Sequence, residues 1–216
     1  MKLVKNIILI ISILALSFQI YMDVEPSLGL SIEGRVIIVL IQVLGFISIY
    51  WYYRNKVTIE KRKRYFKLLM WMLFVIYLLN LFYLLFLDGE MGRNLHAIEN
   101  MDMNLLFGVN FVPLRTIKLF VKSYYQGYLP LSIITINLIG NILAFMPLAI
   151  FLQTLFKSQR KSSVYFITAS LLIIGVEILQ VLTMSGSGDI DDYILNIVGS
   201  MVMYLIVKLY RKVKKL

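Results

Sequence analysis

The feature that most constrains this chain is a set of apolar runs close to the length a helix needs to cross about 30 Å of hydrocarbon. Six such runs are read, at 3–21, 35–53, 65–87, 131–156, 163–184 and 192–210. In lipid every backbone polar group needs an internal partner, so an open chain crosses as helix. The expected fold is therefore all-α, a polytopic transmembrane helical bundle of about six spans. A hydrophobic content of 60% against 16% charged residues agrees with it.

Orientation follows from where the charge lies. The amino terminus, 54–67, 157–161 and the tail from Lys208 hold 17 of the 22 basic residues and one acid, Glu60. The alternating loops hold the other 5 basic residues and 10 of the 12 acids. That bias predicts cytoplasmic termini and an extracellular loop at 88–130, too long to be a simple turn. The net charge of +10 is thus a topology signal with some attraction to anionic lipid, and no nucleic-acid partner is expected. Residues 1–64 form two amino-terminal spans and a basic cytoplasmic loop; 65–216 form a four-helix membrane domain. The first run, with its basic start and Ala-Leu-Ser at 15–17, also fits a cleaved secretory signal, although its apolar stretch continues past a signal's usual length.

The absence of cysteine and the single histidine, His96, exclude disulfides, thiolate sites and histidine-rich metal centres. Chemistry is left to carboxylates, amides, basic groups or shape. His96 itself reads as a solvated loop residue.

Depth along the spans, at about 1.5 Å per residue, groups the remaining polar residues. Asn137 and Asn141 lie one turn apart in the fourth span. Glu177 and Gln180 lie near the outer end of the fifth. Asp192 opens the sixth, with Asn196 and then Gly199 and Ser200 down the same face. All fall in the outer half of the bilayer, so the expected site is an outward-facing polar pocket capped by Asp189, Asp191 and Asp192. A charge at mid-bilayer costs at least about 2.5 kcal/mol, so Glu177 should face the bundle and be paired or carry a proton. The competing reading is interhelical adhesion, each hydrogen bond contributing about 0.6 kcal/mol, with Gly140 and Gly199 allowing close packing.

Pro147 should kink the fourth span by removing a bond to Leu143. The turn containing Gly186 and Gly188 reads as a tight connection, since no strand precedes it and no GK[ST] follows. In 110–125, Leu114, Ile117, Val121 and Tyr124 share one helical face and Arg115, Lys118 and Lys122 another. This predicts an amphipathic interfacial helix started by Pro113, either a simple anchor or a place where Arg115 receives a headgroup phosphate at the pocket mouth.

Taken together, NFVPLRTI at 110–117, NLIGNILAFMPLAIFL at 137–152, GVEILQ at 175–180 and DIDDYILNIVGS at 189–200 resemble the VanZ-like membrane proteins, whose namesake is linked to teicoplanin resistance. The resemblance covers roughly the third to sixth spans. Carried over by position, it marks Asn110, Pro113, Asn137, Asn141, Pro147, Glu177, Gln180, Asp189, Asp192, Asn196 and Gly199. It implies a multi-pass protein of the bacterial plasma membrane that lowers sensitivity to lipoglycopeptides. The chain departs from the family pattern at 185–188, Ser-Gly-Ser-Gly, where an Arg often precedes the first Asp. Arg115 would have to replace it, or the ligand differs.

The leading functional expectation is an envelope protein whose pocket, built from Asn137, Asn141, Glu177, Gln180, Asp189, Asp192, Asn196 and Arg115, binds a lipid headgroup, a lipid-linked cell-wall precursor or a lipoglycopeptide. Asn110, Pro113, Pro147 and Gly199 are expected to be structural. An alternative is an integral-membrane enzyme acting on a lipid phosphate or ester, with Glu177 as general base and Asp189 and Asp192 holding Mg²⁺ or Mn²⁺. It lacks any familiar nucleophile motif. A third, a small transporter, needs a polar pathway to the cytoplasm, whereas the inner stretch 145–156 offers only Gln153.

Overall fold

The computed structural model describes residues 2–25, 30–88 and 109–214; His96 and much of the predicted outer loop lie outside the described residues. Among the described residues there are eight α-helices: α1 (Lys2–Val24), α2 (Ile32–Arg54), α3 (Ile59–Phe86), α4 (Arg115–Tyr125), α5 (Leu131–Ala144), α6 (Met146–Leu155), α7 (Ser162–Leu182) and α8 (Ile190–Val213). A 3-10 turn, Lys157–Arg160, joins α6 to α7. Six helical segments are long and apolar enough to cross a membrane, α5 and α6 together making one of them. The six expected spans are therefore found, and no strand occurs among the described residues.

The chain forms two compact units, Met1–Asn80 and Leu81–Leu216. The division falls inside α3. In unit 1, α1 packs on α2. Gly45 faces Ser12 so closely that an added Cβ would lie 2.0 Å from the Ser12 hydroxyl. A relay of amides then crosses this unit: Gln42 Nε2 donates to Gln19 Oε1 at 2.9 Å, and Gln19 Nε2 donates to Asn80 Oδ1 at 3.1 Å. Both glutamines are buried, and the relay supplies partners where lipid offers none, leaving only Gln42 Oε1 of these two amides without a hydrogen-bond partner among the described residues. An ion pair between Arg35 and Asp23 closes the unit's 23–35 end.

In unit 2, α8 packs against α5, α6 and α7. The fourth span breaks at Phe145, whose backbone leaves the helical region at φ −99° and ψ 1°, two residues before Pro147. This is the expected interruption, with Pro147 in the first turn of α6, where its missing N–H costs little. Gly199 explains why α5 and α8 approach closely: a Cβ there would lie 1.8 Å from the carbonyl oxygen of Ile142. Gly140, expected to play the same part, faces open space.

Helix α7 ends without a glycine. Met184 takes the left-handed conformation at φ 53°, so that the Met184 and Ser185 amides reach back to the carbonyls of Val181 and Gln180. These are the two bonds of a Schellman termination. The turn beyond is a tight connection, as expected. Gly188 is buried there, and a Cβ would lie 2.7 Å from Val181.

Candidate functional site

The start of α8 gathers the acids. Asp189 caps the helix by accepting from its own Asp191 amide at 2.9 Å. The same carboxylate accepts from Asn110 Nδ2 at 2.9 Å and from the Thr116 hydroxyl. Backbone bonds reinforce this contact: the Asn110 amide donates to Gly188 and the Ile190 amide to Asn110, an isolated parallel bridge.

Asp191, which depth alone did not single out, does the most. It is 1% exposed, and its carboxylate accepts from the backbone amides of Leu114, Thr116 (2.8 Å) and Ile117 (3.3 Å). These amides open α4, so an anion sits at the positive end of that helix. Leu114 turns into the left-handed region, φ 64°, as its N–H meets Asp191. That conformation costs a non-glycine residue roughly 1 kcal/mol and is offset by the bonds it permits.

Anchoring sets the rotation of α4 and corrects its expected start. The helix begins at Arg115 after left-handed Leu114, not at Pro113. Its half-buried side is Thr116, Ile117, Phe120 and Ser123, whereas Leu114, Val121 and Tyr124 are exposed. Arg115, Lys118 and Lys122 are also exposed.

Beside this latch lies a cavity of about 480 Å³, within the range of small-molecule pockets. Its walls are Ile174, Ile178, Val181 and Leu182 of α7, Gly188 to Ile190 and Tyr193 at the start of α8, and Val109 to Phe111. The polar groups on it are Glu177, Asp189, Asn110 and the Tyr193 hydroxyl, which donates to Ser170 at 3.1 Å. Glu177 is half-buried and lies about 8 Å from the end of α7.

Of the expected pocket residues, Glu177 and Asp189 line this cavity; the others do not. Asn141 donates to Asp192 across the α5–α8 contact. Buried Gln180 donates to the carbonyl of Leu85 at 3.2 Å. Asn137 bonds its own helix, at the Ile133 carbonyl, 2.8 Å. Asn196 is buried, its Oδ1 without a hydrogen-bond partner among the described residues. Arg115 is absent from the wall. The cavity thus brings Glu177 and Asp189 together, while Asn141 and Gln180 make bonds that join helices.

The two carboxylates named for a metal are engaged within the protein. Asp189 already accepts three donors and Asp192 takes Asn141, and among the described residues no group of three or more His, Cys, Asp or Glu is arranged to hold an ion. Away from the cavity, unit 2 also holds a buried polar group of side chains. Gln153, Tyr165, Ser200 and Tyr204 are buried there, joined by hydrogen bonds.

No curated protein and no solved structure matches the chain. The VanZ/LLP1 family model matches residues 74–211, more than half of the sequence, and the chain belongs to that family.

Proposed function

We propose that this VanZ/LLP1 protein works in the bacterial plasma membrane, where it takes part of an amphiphile into the cavity beside Glu177 and thereby lowers susceptibility to glycopeptide antibiotics such as teicoplanin. The observation that carries this reading is the cavity itself. It joins an apolar wall on α7 to two carboxylates and is bordered by the segment leading into α4. Ile174, Ile178, Leu182 and Phe111 are exposed as well as lining it, so the wall continues onto the surface that lipid would cover. An acyl chain or lipid-linked precursor can therefore enter sideways, its polar end meeting Glu177 and Asn110. The charge bias assigns this end to the outer leaflet, where glycopeptides act on their envelope targets. Exposed Arg115, Lys118 and Lys122 on α4 then face the headgroup plane.

Expression in a susceptible host should raise the teicoplanin concentration needed to stop growth. Glu177→Gln, which keeps the shape and loses the ionisable group, should abolish that rise at normal membrane abundance. A fully protective, well-expressed Glu177→Gln protein would remove this residue from the function.

A further inference from the structure

At the opposite end of α7 and α8 from the cavity, two guanidinium groups meet on one oxygen. Arg160 Nε and Arg211 Nη1 both donate to the carbonyl of Gln153, at 3.3 and 3.0 Å. Neither has a carboxylate partner among the described residues. The carbonyl belongs to the last turn of α6, whose partial negative charge amounts to about half an electron. It offsets two full positive charges only in part. Lys208, one turn before Arg211 on α8, adds a third and donates to Ser162 Oγ at 3.0 Å.

The arrangement is fixed from below rather than by mobile surface chains. The Tyr204 hydroxyl donates to the Arg160 carbonyl at 2.7 Å, and the Tyr204 ring stacks on Tyr165 with centroids 4.6 Å apart. Both tyrosines are fully buried. Gln153 Nε2 donates to the Tyr204 carbonyl at 3.2 Å. Arg160 is exposed and Arg211 half-exposed, so each can offer remaining N–H groups to an approaching ligand. Guanidinium forks match phosphate oxygens, and pre-positioning lowers the ordering cost of binding.

We propose that Arg160, Arg211 and Lys208 form a binding site for the phosphate of an anionic phospholipid, at the basic end of unit 2. The ends of membrane helices lie in the headgroup plane, where basic clusters between helices recognise such lipids.

The test compares purified wild-type protein with Arg160→Gln/Arg211→Gln by native mass spectrometry. Phosphatidylglycerol and phosphatidylcholine of matched chains are the probes. Wild type should prefer phosphatidylglycerol by about a hundredfold, the scale expected for three basic residues near the headgroups, of which the Arg160 and Arg211 pair carries about thirtyfold. The double variant should keep no more than the roughly threefold to fivefold that Lys208 supplies, while Lys157→Gln/Lys161→Gln, which alters exposed lysines on the same turn, should keep most of the preference. If the double variant folds poorly, Lys208→Gln should still reduce the preference about threefold to fivefold. Inorganic phosphate at equal concentration should not displace the lipid. Absence of a preference in wild type, equal loss in the lysine pair, an unchanged Lys208→Gln protein, or displacement by phosphate alone would each overturn the assignment.

Discussion

Replacing Asp191 with alanine should unfasten α4 while leaving the six apolar helices in place. Three backbone amides, those of Leu114, Thr116 and Ile117, would lose a buried carboxylate. Leaving such donors without an acceptor costs about 1–3 kcal/mol, more when the lost partner is charged. Left-handed Leu114 would also lose the bond that offsets its strain. The summed effect, about 3–4 kcal/mol locally, should raise amide exchange across 114–120 by at least about a hundredfold. Because Asn110 and Phe111 form part of the cavity wall, protection against teicoplanin should fall with it. Hydrogen exchange read by mass spectrometry separates this local release from global unfolding. Unchanged exchange in α4 would contradict the latch.

The largest loss of stability is expected from Gly199→Ala. Its Cβ would overlap the Ile142 carbonyl at 1.8 Å and the carbonyl carbon at 2.7 Å, both backbone atoms without a rotamer to escape into. The helices must separate, which weakens the Asn141–Asp192 bond across the same contact. Overpacking of this kind costs about 1–3 kcal/mol, and with the lost bond the midpoint of thermal unfolding in detergent should fall by about 10 °C. Gly140→Ala supplies the contrast. It meets nothing within 4 Å and should be neutral or slightly stabilising, by up to about 1 kcal/mol from helix propensity.

Hydropathy made the spans legible, down to the break before Pro147, because the cost of exposing backbone in lipid depends on composition and length alone. It missed the first turns of α3, which begins at Ile59 among basic residues outside the apolar window. Depth along a helix likewise put Glu177 near the outer end of its span and Asp189 as a cap above the spans, and they share the cavity. Depth says nothing about rotation, however. Asn137 and Asn141 stand one turn apart, yet one bonds its own helix and the other reaches α8. Asp191 was hidden for a different reason: its partners open a helix some 75 residues away, and only folding brings them together. Its position two residues past the cap of α8 was the available signal. Tyr165 and Tyr204 carry large rings with a single hydroxyl, so they read as part of apolar spans until their hydroxyls found Ser200 and the Arg160 carbonyl.

The cavity's occupant is the central claim, and mass spectrometry of the amphiphiles that co-purify with the protein tests it most directly. Ile178 lies on the wall and its exposed face tolerates a larger side chain, so Ile178→Trp should fill the space without disturbing the latch. Wild-type protein should carry one amphiphile enriched at least about tenfold over its share of the membrane, and the filled variant, at equal yield, should lose that enrichment, a difference of about 1.4 kcal/mol. The same unselected lipid composition from both proteins would contradict a binding role for the cavity.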